Sequence, residues 1–268
     1  MESVFNPEVL SDATVERLKK YFNEIPPYRH FYIDGFLKEE FANRLYENFP
    51  APDDMTRKYN GLNEKKAEGT DFSKFNPAFQ ELKDQLAKPE INEWLTKITG
   101  IKDVFSIDDP LGAGVHQGEN GSYLDIHIDF NIHPNLNIYR RLNLLIFLNK
   151  NWKEEYGGHS EMWNADVSEL GAAYLPSWNR CVVFESSQIS YHGYAKINIP
   201  PGESRKSFFN YYYTKEHEGG ENKYHDTVFK ARPEEGLAKK IKTVIVKGTT
   251  VGLLVPIKIS ARPAIAGT

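Results

Sequence analysis

Apolar residues recur at helical spacing through the first hundred positions and then change to a two-residue beat. Over residues 8–24, Val15, Leu18, Tyr21 and Phe22 share one side of a predicted helix. Ser11 or Asp12 can cap its start, and Pro26-Pro27 ends it. His30 to Phe36 reads as a short strand and turn. Lys38 to Asn48 puts Phe41 and Leu45, with Phe49 just beyond, on one face of a second helix. Two more helices are predicted over Pro77–Ala87 and Glu90–Thr99. Asn76 supplies a cap ahead of Pro77, whose φ is preset for a first turn, and Gly100 suits the reversal that ends the second. Residues 52–72 are polar and rich in turn formers, so they read as a long loop of the kind that often carries function.

After Ile101 the runs shorten and become β-like: Tyr123–Phe130, Leu142–Leu148, Ser160–Trp163, Cys181–Phe184 and Ser207–Tyr213. Turns rich in Gly, Pro, Asn and Ser separate them, and no helical pattern intervenes. That succession predicts a sandwich or barrel. Helices first and strands second predict one α+β domain over 1–268. Its parts are helical support over 1–100, a β core over 101–215 and a C-terminal extension over 216–268. In the extension, Glu234–Lys242 reads as a helix and Thr243–Val246 as a strand.

Composition narrows the function classes. The net charge is −4 and no basic stripe stands out, so nucleic acid is not an expected partner. Arg140-Arg141 and Lys239-Lys240-Ile241-Lys242 read as solvated faces. The single cysteine, Cys181, excludes an internal disulfide and any multi-cysteine metal site, and its apolar neighbours suggest a buried small hydrophobe. The N-terminus shows neither a basic leader nor an apolar segment. The longest uncharged run near the other end, Gly248 to Ile257, is ten residues long and too short to cross a bilayer. A soluble cytoplasmic protein with no membrane partner is expected, its oligomeric state open.

The chemistry concentrates in Gly121 to Asn131. Strict alternation there predicts Tyr123, Asp125, His127 and Asp129 on one face of a strand, with Leu124, Ile126, Ile128 and Phe130 on the other. Positions two apart lie roughly 6.5–7 Å apart with parallel side chains, so His127 and Asp129 can grip one ion together. A surface strand with a wet polar face would show the same tripeptide. Among the other histidines, His192 stands out in Ser190-Tyr191-His192-Gly193-Tyr194, because a glycine behind it permits close backbone approach. Arg205, thirteen residues later, opens an aromatic strand and offers a forked, permanently charged partner for a carboxylate.

His127-Ile128-Asp129, then His192, then Arg205 resembles the signature of the iron(II)- and 2-oxoglutarate-dependent oxygenases in the prolyl-hydroxylase-like branch. The resemblance covers about residues 28–215. It includes Arg140 to Asn149 with Trp152, Gly157-Gly158, Glu161-Met162-Trp163, and Asn179 to Glu185. It implies a double-stranded β-helix, also called a jelly roll or cupin-like core, braced by the N-terminal helices. It further implies His127, Asp129 and His192 as Fe(II) ligands and Arg205, rather than Lys206, as the anchor of 2-oxoglutarate. Two histidines and one carboxylate on one side of an octahedral ion suit non-haem Fe(II) chemistry with O2. Ascorbate would support turnover, and succinate and CO2 would be released as an unactivated C–H bond is hydroxylated. Related halogenases carry a small residue in place of the carboxylate, so Asp129 favours hydroxylation.

The resemblance also places Asn143, and either His116 or Gln117, where relatives contact the co-substrate. Phe147 stands where relatives often carry a tyrosine. Trp163, Trp178 and Phe184 read as core. The substrate is expected to be a small molecule or an amino-acid or prolyl unit, with residues 52–72 and 217–235 facing it. The alternatives are a non-catalytic or zinc-bound cupin-like binding module, or a protein-directed residue hydroxylase acting in regulation.

Overall fold

A computed structural model describes residues 2–216, 223–236 and 239. The four α-helices bounded among the described residues fall where the spacing predicts. Helix α1 (Asp12–Glu24) is capped by Ser11, whose hydroxyl oxygen accepts from the Thr14 amide. It is followed by α2 (Glu39–Glu47), α3 (Pro77–Leu86) and α4 (Pro89–Thr99). Asn76 caps α3, and Gly100 ends α4 in the left-handed conformation at φ 74°. No described helix is long and apolar enough to cross a membrane.

Twelve described strands pair antiparallel throughout: β1 (His30–Ile33), β2 (Arg57–Asn60), β3 (Glu64–Gly69), β4 (Ala113–Gly118), β5 (Tyr123–Ile128) and β6 (Tyr139–Phe147), then β7 (Ser160–Trp163), β8 (Leu170–Tyr174), β9 (Arg180–Glu185), β10 (Tyr191–Tyr194), β11 (Arg205–Thr214) and β12 (Val228–Lys230). Their order is β1-β9-β6-β11-β4-β3-β5-β10-β7-β8, with β12 beside β5 and β2 beside β3. The chain therefore visits two four-stranded groups in turn, β4-β11-β6-β9 and β5-β10-β7-β8, which is the winding of a jelly roll. Strand β3 pairs with both β4 and β5 and joins the groups along one edge.

Alternation along the first group sorts two environments. One face sends Leu142, Leu144, Ile146, Val183, Phe208 and Tyr212 into a core shared with Leu82, Ile91, Leu95 and Ile98 of α3 and α4. Each such fully buried side chain contributes roughly 1.5–3 kcal/mol, an upper figure because the unfolded chain already buries some surface. The Tyr212 hydroxyl donates to the Leu86 carbonyl at 2.9 Å, so the brace is polar as well as apolar. The other face carries Phe147, Val182 and Phe184 toward Met162 of the second group.

Two expectations are corrected here. Residues 52–72 are not a loop: they contain the β2–β3 hairpin. Arg57–Asn60 and Glu64–Gly69 lack apolar alternation, and what makes them strands is the edge that β4 and β5 offer. Arg140 and Arg141 are buried, not solvated, because β6 is covered on both faces. Strand β4 has no legible pattern, since Gly114 stands where a side chain would announce it. A β-carbon there would lie 2.5 Å from the Phe209 ring and 2.7 Å from the Gly69 carbonyl oxygen. The strand expected over Thr243–Val246 and most of the helix expected over Glu234–Lys242 lie outside the described residues. Pro233 and Glu234 form a turn.

Candidate metal centre

His127, one residue before the end of β5, faces His192 of β10 directly across the ladder, with ring centroids 4.2 Å apart. Asp129 follows just beyond β5 and completes the group. One nitrogen of each histidine and one Asp129 oxygen lie within 4.8 Å of one another. His127 Nε2 is 3.5 Å from Asp129 Oδ1, and His192 Nε2 is 3.5 Å from Oδ2. An ion about 2 Å from each donor needs them about 3 Å apart, so the two 3.5 Å spacings between imidazole and carboxylate would close slightly on binding.

The second nitrogen of each ring is committed elsewhere. His127 Nδ1 donates to the Asp125 carbonyl and His192 Nδ1 to the Ser190 carbonyl, both at 2.9 Å. These bonds fix the tautomer and leave both Nε2 lone pairs aimed at the same place, the usual orientation of metal-bound imidazoles. Burial, reinforced by neighbouring His127, brings the His192 pKa down to about 3, so the ring is neutral at neutral pH. Burial pushes the Asp129 carboxyl up, but Arg140 and the two histidines outweigh it and hold it well below the usual carboxylate range. Two neutral imidazoles and one carboxylate form a donor set that fits Fe(II).

The face expected from strict alternation is broken by a bulge. His192 pairs with His127 and Tyr194 with Leu124, so three steps on β5 oppose two on β10. Leu124, His127 and Asp129 therefore line one cavity of about 240 Å³. Asp125 turns the other way, to Arg232 at 3.5 Å and Lys239 at 2.9 Å. The bulge presses on Gly193, where an added β-carbon would sit 2.6 Å from the Leu124 carbonyl oxygen and 2.8 Å from that of Asp125. Both obstacles are backbone. Gly193→Ala is expected to destabilise the fold by about 1–3 kcal/mol, seen as a lowered urea midpoint with an unchanged slope.

Arg140, read from the sequence as solvated, is the main support of the triad. Its Nη2 lies 3.0 Å from Asp129 Oδ2, its Nε donates to Asn143 Oδ1 at 2.8 Å, and its guanidinium carbon stands 3.4 Å above the Tyr211 ring centre. Asn143 Nδ2 donates to the same Asp129 oxygen at 2.7 Å. Asn143 is thus turned onto the candidate ligand and its arginine. Arg140→Met keeps the bulk and removes both bonds. It is expected to weaken Fe(II) binding by about 10–100-fold, measured by metal titration, with Arg140→Lys recovering part of the loss.

Arg205 opens β11 on the inner face. Its Nε donates to the Gly158 carbonyl at 2.8 Å, and its guanidinium carbon lies 4.2 Å from the Tyr194 ring centre and 4.9 Å from that of Phe147. Burial lowers its pKa to about 10, and no described carboxylate comes within 4.0 Å of it. A buried guanidinium without a counter-ion is a ready anion receptor. Lys206 points the opposite way and donates to Ser204 Oγ at 2.6 Å.

His116 shares the inner face. It is stacked on Phe209 at 4.4 Å, and its Nε2 lies 3.0 Å from Glu68 Oε2. Burial, aided by Lys66, lowers the His116 pKa to about 4. Gln117 is on the other face of β4, where its Nε2 donates to Ser204 Oγ at 2.8 Å, away from the triad. Two further cavity residues come from the segments 52–72 and 217–235 expected to face the substrate, where the sequence did not single them out. Glu68 comes from the hairpin, and burial raises its pKa while His116, Lys66 and Arg57 together bring it to about 2. Phe229 comes from β12, with its ring 5.3 Å from His127. The pairing of β12 with β5 brings Phe229 to that place. Trp163 and Phe184 are buried, and Phe184 also packs on His192 at 4.5 Å.

Comparison with known proteins follows the same lines. The family described as the 2OG-Fe(II) oxygenase superfamily matches residues 113–213, the span that holds the triad and Arg205. The mouse (Mus musculus) protein Prolyl 3-hydroxylase OGFOD1 is 23% identical over 195 residues, covering 71% of this chain. The match takes in 33% of that protein, so the chain spans about a third of the length of the curated relative. Among solved structures, a Pseudomonas putida prolyl-4-hydroxylase superposes with a TM-score of 0.54 at 15% identity, covering 73% of this chain and 98% of its own. A Trichoplax adhaerens prolyl hydroxylase, solved with a hypoxia inducible factor oxygen degradation domain peptide fragment, gives 0.50 at 18% identity, covering 75% and 91%. These likenesses establish the jelly-roll fold.

Proposed function

We propose that this chain is a 2OG-Fe(II) oxygenase of the prolyl-4-hydroxylase-like kind, and that it hydroxylates an unactivated C–H bond of a prolyl or similarly small amino-acid-like unit. The observation that carries this reading is the buried convergence of His127, Asp129 and His192, with both imidazole N–H groups tied to backbone. His127, Asp129 and His192 would hold Fe(II), and Arg205 would pair with the distal carboxylate of 2-oxoglutarate. Bound together, iron and 2-oxoglutarate supply the oxidising power that puts one atom of O2 on the substrate and the other in succinate, with CO2 lost.

The protein's own part is positional. Arg140 and Asn143 keep the Asp129 carboxylate ionised and oriented. Phe147, Phe184 and Met162 make the inner wall apolar, which excludes water from the reacting centre. The cavity of about 240 Å³ takes a single residue-sized group. Its mouth carries Arg57, Lys66, Glu64 and Glu68, already paired among themselves at 3.2–4.0 Å. A neutral or zwitterionic unit, free or within a peptide, suits such a mouth better than a strongly charged one.

The test is oxygen-dependent conversion of 2-oxoglutarate to succinate by the full chain with Fe(II) and ascorbate, run beside mass spectrometry of peptide and metabolite pools. The expected result is succinate matched by a product one oxygen heavier. Stoichiometric metal binding with neither succinate nor product in either pool would overturn the reading.

A further inference from the structure

A second charged cleft lies away from the triad. It has a volume of about 750 Å³ and is lined by four cationic side chains, Arg29, Lys102, Arg141 and Lys215, against two acidic ones, Asp103 and Glu216. Tyr212 pairs with Leu142 and Tyr213 with Arg140, so Arg141 is the extra residue of a bulge in β6, and Arg140 reaches Asp129 while Arg141 lines this cleft. The two arginines share one carboxylate. Arg29 Nη1 is 3.1 Å from Glu185 Oε2, and Arg141 Nη2 is 3.7 Å from Oε1. Arg29 Nη2 also donates to the Thr99 carbonyl at the end of α4.

One glutamate does not satisfy two guanidinium forks. The Nε atoms of Arg29 and Arg141 are both buried, and neither has a hydrogen-bond partner among the described residues. Arg141 is nine-tenths buried. A buried N–H left unpaired costs on the order of 1–3 kcal/mol, more on a charged group, so two on neighbouring arginines need an acceptor. A group with several anionic oxygens would accept from both forks at once, as phosphate does in arginine-lined sites. The volume exceeds what inorganic phosphate would fill.

We propose that this cleft binds a phosphate-bearing small molecule, held by Arg29 and Arg141 with Lys102 and Lys215 at the rim. The inference does not depend on the proposed oxygenase activity.

The test is calorimetric titration of the metal-free full chain with inorganic phosphate. It compares wild type with Arg141→Ala, Glu185→Gln and Arg205→Ala, the last removing the other buried arginine that could take an anion. Saturable binding is expected in wild type and retained in Arg205→Ala. It should weaken at least tenfold in Arg141→Ala and tighten in Glu185→Gln, which lifts the competing carboxylate. Should Arg141→Ala prove unfolded by circular dichroism, the other two variants still decide. No saturable binding in wild type and Glu185→Gln would overturn the proposal and leave a closed ion-pair cluster. So would a failure to tighten in Glu185→Gln, or loss of binding in Arg205→Ala.

Discussion

Asp129→Ala is expected to abolish both Fe(II) binding and turnover. The carboxylate is the only anionic donor of the triad, and its oxygens stand 3.5 Å from each imidazole nitrogen. Loss of even an outer-sphere partner costs about 10–100-fold in metal affinity, so loss of a ligand should exceed a hundredfold. The alanine also strips the buried Arg140 of its counter-ion, a change worth about 3–5 kcal/mol of stability. A fall in activity could then reflect unfolding alone. Asp129→Asn separates the two, because it keeps the volume and an oxygen that can accept from Arg140. Fe(II) titration, thermal melting and succinate formation on both variants form the measurement. A folded Asp129→Asn protein that binds iron and turns over like wild type would refute the ligand assignment.

Arg205→Ala should raise the 2-oxoglutarate requirement steeply while Lys206→Ala leaves it alone. Truncating one side of a buried charge pair costs roughly 2–5 kcal/mol. At 1.4 kcal/mol per decade, that is a rise of about 30- to several-thousand-fold in the half-saturating concentration. The maximal rate should fall less, since Arg205 is proposed to touch the far end of the co-substrate. Calorimetric binding of 2-oxoglutarate to the Mn(II)-loaded protein gives a readout free of turnover. Strand alternation is what separates the neighbours: Arg205 lies between Tyr194 and Phe147, and Lys206 bonds Ser204 on the opposite face. The reverse result would exchange their roles.

Local chemistry made much of this chain readable. The four helices follow from 3.6-residue spacing and from caps at Ser11, Asn76 and Gly100, because those signals act within a few residues. Most core strands show in their apolar runs for the same reason. His127, Asp129, His192 and Arg205 could be picked out because a donor set and an anion anchor need particular residue types, in an order that a known family shares.

The remainder depended on contacts between distant segments. The hairpin over Arg57–Gly69 has no pattern of its own and becomes a sheet only where β4 and β5 present free edges. The bulge that takes Asp125 off the ligand face is set by the fit of β5 against Gly193. Arg140 reads as a surface charge until β6 is covered on both faces, and it then becomes the partner that keeps Asp129 ionised. Residue types and spacing by themselves determined which side chains were able to bind metal. Tertiary packing decided which of them face one point and which charges are buried beside them, because burial and direction come from strands far apart in the chain.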